Sequence, residues 1–275
     1  MADSPTPNRS PRTAPGSGAA RAGHRTPTRW RQAAYAALFV LLALTAVQCA
    51  RLGLAGLFVQ TAQREIDRST AVALYPGMAA FPVRMPGTRA IRDATHYFSN
   101  SLEYTADNPW ALEGMGTLNL ASMRISRTPR QALDVTRTAR LRFRQALQQR
   151  PTSPFLWANL ALSKLYLDEP DEELLTALRY ADALGPWEPS VQQTVLFVGL
   201  ATWQSLDAEL RAALVRSLER GALRNRQKMF EIAKSYRRFD LVCAIRKYED
   251  IAGPACAKAA ATAVSGEPIR QGFRR

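Results

Sequence analysis

Two histidines, three cysteines and a short acidic run are the residues from which chemistry would have to be built in this 275-residue chain. A hydrolase or transferase needs a nucleophile with its base, a carboxylate pair or a metal cage. His24 lies in a low-complexity N-terminal stretch, so a histidine-based site would rest on His96, which falls in a helical pattern and suits packing or surface better. The run Asp168, Glu169, Asp171, Glu172, Glu173 could gather a cation, yet Pro170 inside it reads as the first turn of a helix, where acids complement the dipole. Gly114-x-Gly116 lacks the third glycine and the preceding strand of a dinucleotide loop. No catalytic residue, cofactor site or metal site is expected.

Binding chemistry is better supplied. Thirty-seven Lys and Arg against 23 Asp and Glu leave a formal charge of +14. Arg137, Arg140 and Arg144 share one side of a helix, and Arg216, Arg220 and Arg224 recur at four-residue spacing on another. Both stripes suit an anionic surface, an acidic glycan or membrane headgroups, with a solvated outer face as the bland alternative. Asn159 offers an amide that could clamp an extended ligand, against the plainer reading of a satisfied helix residue.

The elements that must position these residues begin with a tail. Residues 1–32 are rich in Pro, Ser, Gly, Ala and Arg, with six arginines against Asp3, and read as a disordered cytoplasmic basic tail. Ala33 to Ala50 then runs for eighteen residues without a charge, long enough to cross about 30 Å of hydrocarbon as a helix. Trp30 and Arg31 suit one interface, and Arg51 can snorkel at the other. The core is longer than a signal-peptide apolar region, and the small-x-small cleavage pattern is poor. An uncleaved anchor over 33–59, N-terminus inside, therefore places the rest of the chain outside the cytoplasm of a bacterial inner membrane. Residues 60–89, with Pro76, Pro82 and Pro86, read as a stalk.

In that compartment Cys243 and Cys256 can pair, while Cys49 stays in the membrane segment. The Gly253-Pro254 break lets the chain double back to bring them together. Nucleic acid is not expected as a partner, since little of it is found there.

Residues 90–260 carry helical periodicity without alternating strand patterns, so the fold class is all-α, with 261–275 as a flexible C-terminal tail. Trp110, Gly114, Ala139, Phe143, Ala146 and Pro151 form one unit, and Trp157, Leu160, Ala161, Leu178, Ala181 and Pro186 another. These resemble the tetratricopeptide repeat, in which large residues fill between paired helices and small ones permit close crossing. Departures are Glu113 for Leu, Lys164 for Tyr, Leu174 for Ala, and an insertion around Arg127-Thr128-Pro129-Arg130. An irregular helical bundle is the alternative. Further helices are expected over Ser190–Trp203, Asp207–Gly221, with Gly221 as a stop, and Lys228–Tyr248.

The segments GPWEPSVQQTVLFVGLATWQSLDAELRAALVRSLERG and FDLVCAIRKYEDIAGPAC are similar to the VpsP-type membrane-anchored proteins associated with bacterial exopolysaccharide biosynthesis. The likeness spans roughly the last two thirds of the chain. It implies a noncatalytic scaffold with no cofactor, whose partners are the inner membrane, envelope or polysaccharide-assembly proteins and an anionic polysaccharide. An envelope adaptor for secretion or division, or an unrecognised glycan enzyme, are the alternative functions.

Overall fold

The computed structural model describes residues 28–72, 84–253 and 256–257. The expected tail up to residue 27, the 73–83 part of the stalk and the C-terminal tail 261–275 lie outside these residues. The chain divides into two compact units, Met1–Val47 and Gln48–Arg275.

Helix α1 spans Thr28–Ser69, 42 residues, and carries the one described stretch long and apolar enough to cross a membrane. In the first unit Leu38, Phe39, Leu41, Leu42, Leu44 and Val47 are all exposed, so this part of the helix is apolar around its circumference. The anchor expected over 33–59 lies wholly inside α1, but the helix starts before residue 33, and residues 60–69 are helical where a stalk was expected. The reason is local: QTAQREIDRS contains neither Pro nor Gly. Ala55, Val59 and Ala62, at helical spacing, are also buried, and Val59 and Ala62 join Ala94, Phe98, Ala111 and Leu118 in a core cluster. Arg51 donates to the Tyr104 carbonyl at 3.1 Å, Ser101 donates to the Ala55 carbonyl at 2.9 Å, and Phe58 stacks on Tyr104.

Two three-residue strands, β1 (Thr70–Val72) and β2 (Arg84–Pro86), pair antiparallel. The rest is helical: α2 Thr88–Tyr104, α3 Pro109–Arg124, α4 Pro129–Gln149, α5 Pro154–Tyr166, α6 Glu172–Leu184, α7 Pro189–Ala201, α8 Ala208–Arg224, α9 Arg226–Ser235 and α10 Phe239–Cys243. Punctuation explains these bounds. Asn108, Thr128, Ser153, Asp171 and Asp207 cap their helices through the side chain, and Pro109, Pro129, Pro154 and Pro189 occupy the first turn, where no backbone donor is lost. The expected insertion is thus a tight turn capped by Thr128, and the added length goes into α4.

Neighbouring helices pack in sequence from α2 to α9, and α5 also touches α3 and α7, α7 touches α9, and α6 touches α8. The turns between them repeat. Thr105 donates to Ser101, Asn108 to Thr105 and Leu112 to Asn108; the same three backbone bonds recur at Arg150, Ser153 and Trp157, and again at Gly185, Glu188 and Gln192. In the last two, the side chain at the third place also donates back to a proline carbonyl: Trp157 Nε1 to Pro151 and Gln192 Nε2 to Pro186, both at 2.7 Å.

This register corrects several expectations. Leu112, buried, stands where Trp157 stands; Trp110 lies two residues earlier and is 51% exposed, so it does not fill between helices. Gly116 meets Phe143, where an added Cβ would stand 2.6 Å from the ring, while Gly114 faces Phe98 across α2. Gly221 is buried inside α8 against Met229 and does not stop the helix, which runs on to Arg224. Pro170 precedes the Asp171 cap and lies outside α6. The helix expected over Lys228–Tyr248 is broken into α9, α10 and a 3-10 turn, Arg246–Tyr248, because the chain turns at Arg237, whose φ is 56°.

Candidate functional site

The acidic run forms the wall of an ion cluster. Lys164, 1% exposed, donates Nζ to Asp171 and Glu173 at 2.8 Å and to Glu169 at 3.2 Å. From α4, Arg140 pairs with Glu169, and Arg144 Nε reaches Glu173 Oε1 at 2.6 Å. Three cations meet three carboxylates across α4, α5, the α5–α6 turn and the first turn of α6, and an ammonium already stands where a bound cation would go.

Burial alone would push Glu169 and Asp171 up, but hydrogen bonds from Arg140 and Lys164 to the first, and from Lys164 and the Leu174 amide to the second, hold both below the ordinary carboxylate range. The hydrogen bond from Arg144 holds Glu173 down as well. Burial would lower Lys164, yet its three carboxylate partners raise it. The turn that presents these acids closes on Asp168, at φ 57°, with Glu169 donating to the Lys164 carbonyl.

The arginine stripes are therefore mostly committed to the fold. Besides Arg140 and Arg144, Arg137 pairs with Asp134 one turn back at 3.0 Å. Arg220 turns inward, reaching Asp182 at 2.5 Å and the Pro186 carbonyl at 3.0 Å. Only Arg216 and Arg224 of the second stripe are exposed. The six arginines are not two free docking stripes: Arg140, Arg144 and Arg220 are paired with acids from other elements, which helical spacing along one segment does not reveal, and Arg137 with an acid of its own helix. Arg179 makes a similar bridge, joining Glu172 to the α8 cap Asp207.

Asn159 is half-buried on α5 and makes no side-chain hydrogen bond among the described residues. His96 is exposed on α2, 3.3 Å from Asn100, beside a shallow depression lined by Arg92, Asp93 and Tyr97. Among the described residues no group of three His, Cys, Asp or Glu side chains is placed to hold a metal ion.

Half-exposed aromatics sit at the recurring turns. Arg150 lies 3.4 Å over the Trp110 ring while pairing with Glu113 at 2.6 Å. Trp157 stacks on Tyr180 at 4.8 Å, and Trp187 is 49% exposed before α7. A disulfide joins Cys243 to Cys256, with Cα atoms 5.7 Å apart. It holds the segment bearing Tyr248, whose buried hydroxyl donates to the Leu218 carbonyl at 2.9 Å.

Sequence reasoning missed two features. The Lys164 cluster had a signal, a lone lysine in the otherwise uncharged segment Phe155–Tyr166. A depression lined by Arg224, Arg226 and Lys247 had none, because its cations come from separate elements. Compared with known proteins, the chain matches no family model, no curated protein and no solved structure.

Proposed function

We propose that this chain is a noncatalytic, membrane-anchored scaffold that supports bacterial exopolysaccharide biosynthesis or export, with its C-terminal domain in the periplasm and its helices stacked as degenerate tetratricopeptide-like hairpins. The observation that carries the reading is the joining of two elements: one long apolar helix, exposed all round over its first part, and a series of helices whose inter-hairpin turns repeat the same hydrogen bonds. Stacked helical hairpins bury a continuous core through nearest neighbours and leave long surfaces for partners. The contacts α3–α5, α5–α7 and α7–α9 on one side and α6–α8 on the other support such stacking. The polysaccharide assignment rests on the resemblance of the α7–α8 and α10 segments to VpsP-type proteins.

Crosslinking in native membranes followed by affinity capture tests the proposal. Glycosyltransferases, a polymerase or polymer-export proteins should dominate the captured set, and deletion of the chain should lower polymer yield. Capture confined to secretion or division proteins, with unchanged yield, contradicts it in favour of a different adaptor. Turnover of a glycan by the purified protein contradicts the noncatalytic part.

A further inference from the structure

A depression of about 480 Å³ opens where the end of α8, the start of α9 and the turn Arg246–Tyr248 meet, lined by Ala222, Leu223, Arg224, Arg226 and Lys247. Every charged side chain in that lining is cationic. Arg226 is partly neutralised, since it reaches Asp250 at 2.9 Å and the Lys247 carbonyl at 3.2 Å. Arg224 and Lys247 are exposed and have no ion-pair partner among the described residues. Elsewhere several arginines meet a carboxylate from another element: Glu169 for Arg140, Glu173 for Arg144, Asp207 for Arg179 and Asp182 for Arg220. Here one carboxylate faces three cations.

The backbone beside Lys247 is held in place. Tyr248, next to Lys247, is fully buried and hydrogen-bonded to α8, and the disulfide closes the same segment. Ala222, in the same lining, is buried. Holding like charges around one cavity is unfavourable without a counter-charge, so the arrangement favours an anion supplied from outside. Leu223, 60% exposed, adds an apolar wall. A charged group beside an apolar ring face satisfies both, whereas a bare inorganic ion uses only the charge.

We propose that this depression binds a carboxylate-bearing sugar unit of an acidic polysaccharide, Arg224 and Lys247 taking the carboxylate and Leu223 lying against the ring. The choice of polysaccharide as the source rests on the function proposed above; the need for an anion does not.

The test uses the full-length protein in a neutral detergent, titrated calorimetrically with trigalacturonate, with uncharged maltotriose as control and phosphatidylglycerol vesicles as the rival anion. Trigalacturonate should bind and maltotriose should not. The double variant Arg224→Gln/Lys247→Gln should weaken binding by about tenfold or more, the loss of roughly one charged contact, at an unchanged unfolding midpoint, while Arg216→Gln, on the same helix outside the lining, should bind normally. No binding of trigalacturonate, or equal affinity in the double variant, overturns the proposal. So does vesicle binding that the double variant abolishes when trigalacturonate binding is absent. If trigalacturonate binds here but the double variant leaves cellular polymer yield unchanged, the site stands and only the polysaccharide function fails.

Discussion

Lys164 shows how one residue can decide the local chemistry of a fold. Its ammonium is buried, so its three carboxylates and the two arginines behind them must stay ionised together. Because Glu169, Asp171 and Glu173 titrate below their unfolded values, their contribution is fully present above about pH 5 and is lost as pH falls through the depressed folded values. Lys164 titrates above its unfolded value, so its contribution is fully present below that value and is lost only as strongly alkaline pH passes the raised one. Thermal unfolding followed by circular dichroism from pH 7 to 3 should show a steep loss of stability. Lys164→Met should flatten that loss and cost roughly 2 kcal/mol at pH 7 by stripping buried hydrogen bonds to charged groups. At Asp168, φ 57° is a conformation glycine adopts without steric cost, so Asp168→Gly should stabilise the domain by about 0.5–1 kcal/mol in chemical denaturation. The lysine was visible in the sequence as a lone charge among apolar residues; of the acids expected to complement a helix dipole, Asp171 caps α6 and Glu172 and Glu173 lie in its first turn, while the pairing of Glu169, Asp171 and Glu173 with Lys164 had no signal in the acidic run itself.

Between elements, glycines set how closely helices approach. Gly116 lets the Phe143 ring of α4 lie against the backbone of α3, where a Cβ would stand 2.6 Å from a buried ring with no room to move. Gly116→Ala should therefore destabilise by about 1–3 kcal/mol. Pairing it with Phe143→Leu should recover part of that loss, so a double-mutant cycle by denaturant unfolding should give a non-additive energy. Helix existence was legible from periodicity, caps and prolines, and Phe143, Ala146 and Ala181 are all core residues as their spacing suggests. Register was not. Trp110 has the residue type of a repeat tryptophan but sits two places early, and the turn bonds that reveal this involve backbone atoms, whose pairing no residue type encodes. The break after α9 was missed for a similar reason, since Arg237 adopts positive φ without being glycine.

At the scale of the whole molecule, net charge proved a poor guide to surface. The formal +14 suggested free arginine stripes, yet tertiary packing sets several of those arginines against acids from neighbouring elements, and Arg224 of the second stripe lines the depression by α9. Segment 243–256 depends on its crosslink, which closes a short loop worth on the order of 2–3 kcal/mol. Reductant should lower the unfolding midpoint of the full-length protein, and thiol labelling of protein prepared without reductant should leave Cys243 and Cys256 unmodified until reduced. The proposed acidic polymer and envelope partners call for the second unit to lie outside the cytoplasm, where a structural disulfide persists. The direct measurement is a pair of fusions after Arg275, one to a reporter active only outside the cytoplasm and one to a reporter fluorescent only inside it, each checked for full-length, membrane-bound protein. The account predicts activity from the first and darkness from the second. A silent first fusion with a bright second one places the domain inside and contradicts the proposed periplasmic scaffold.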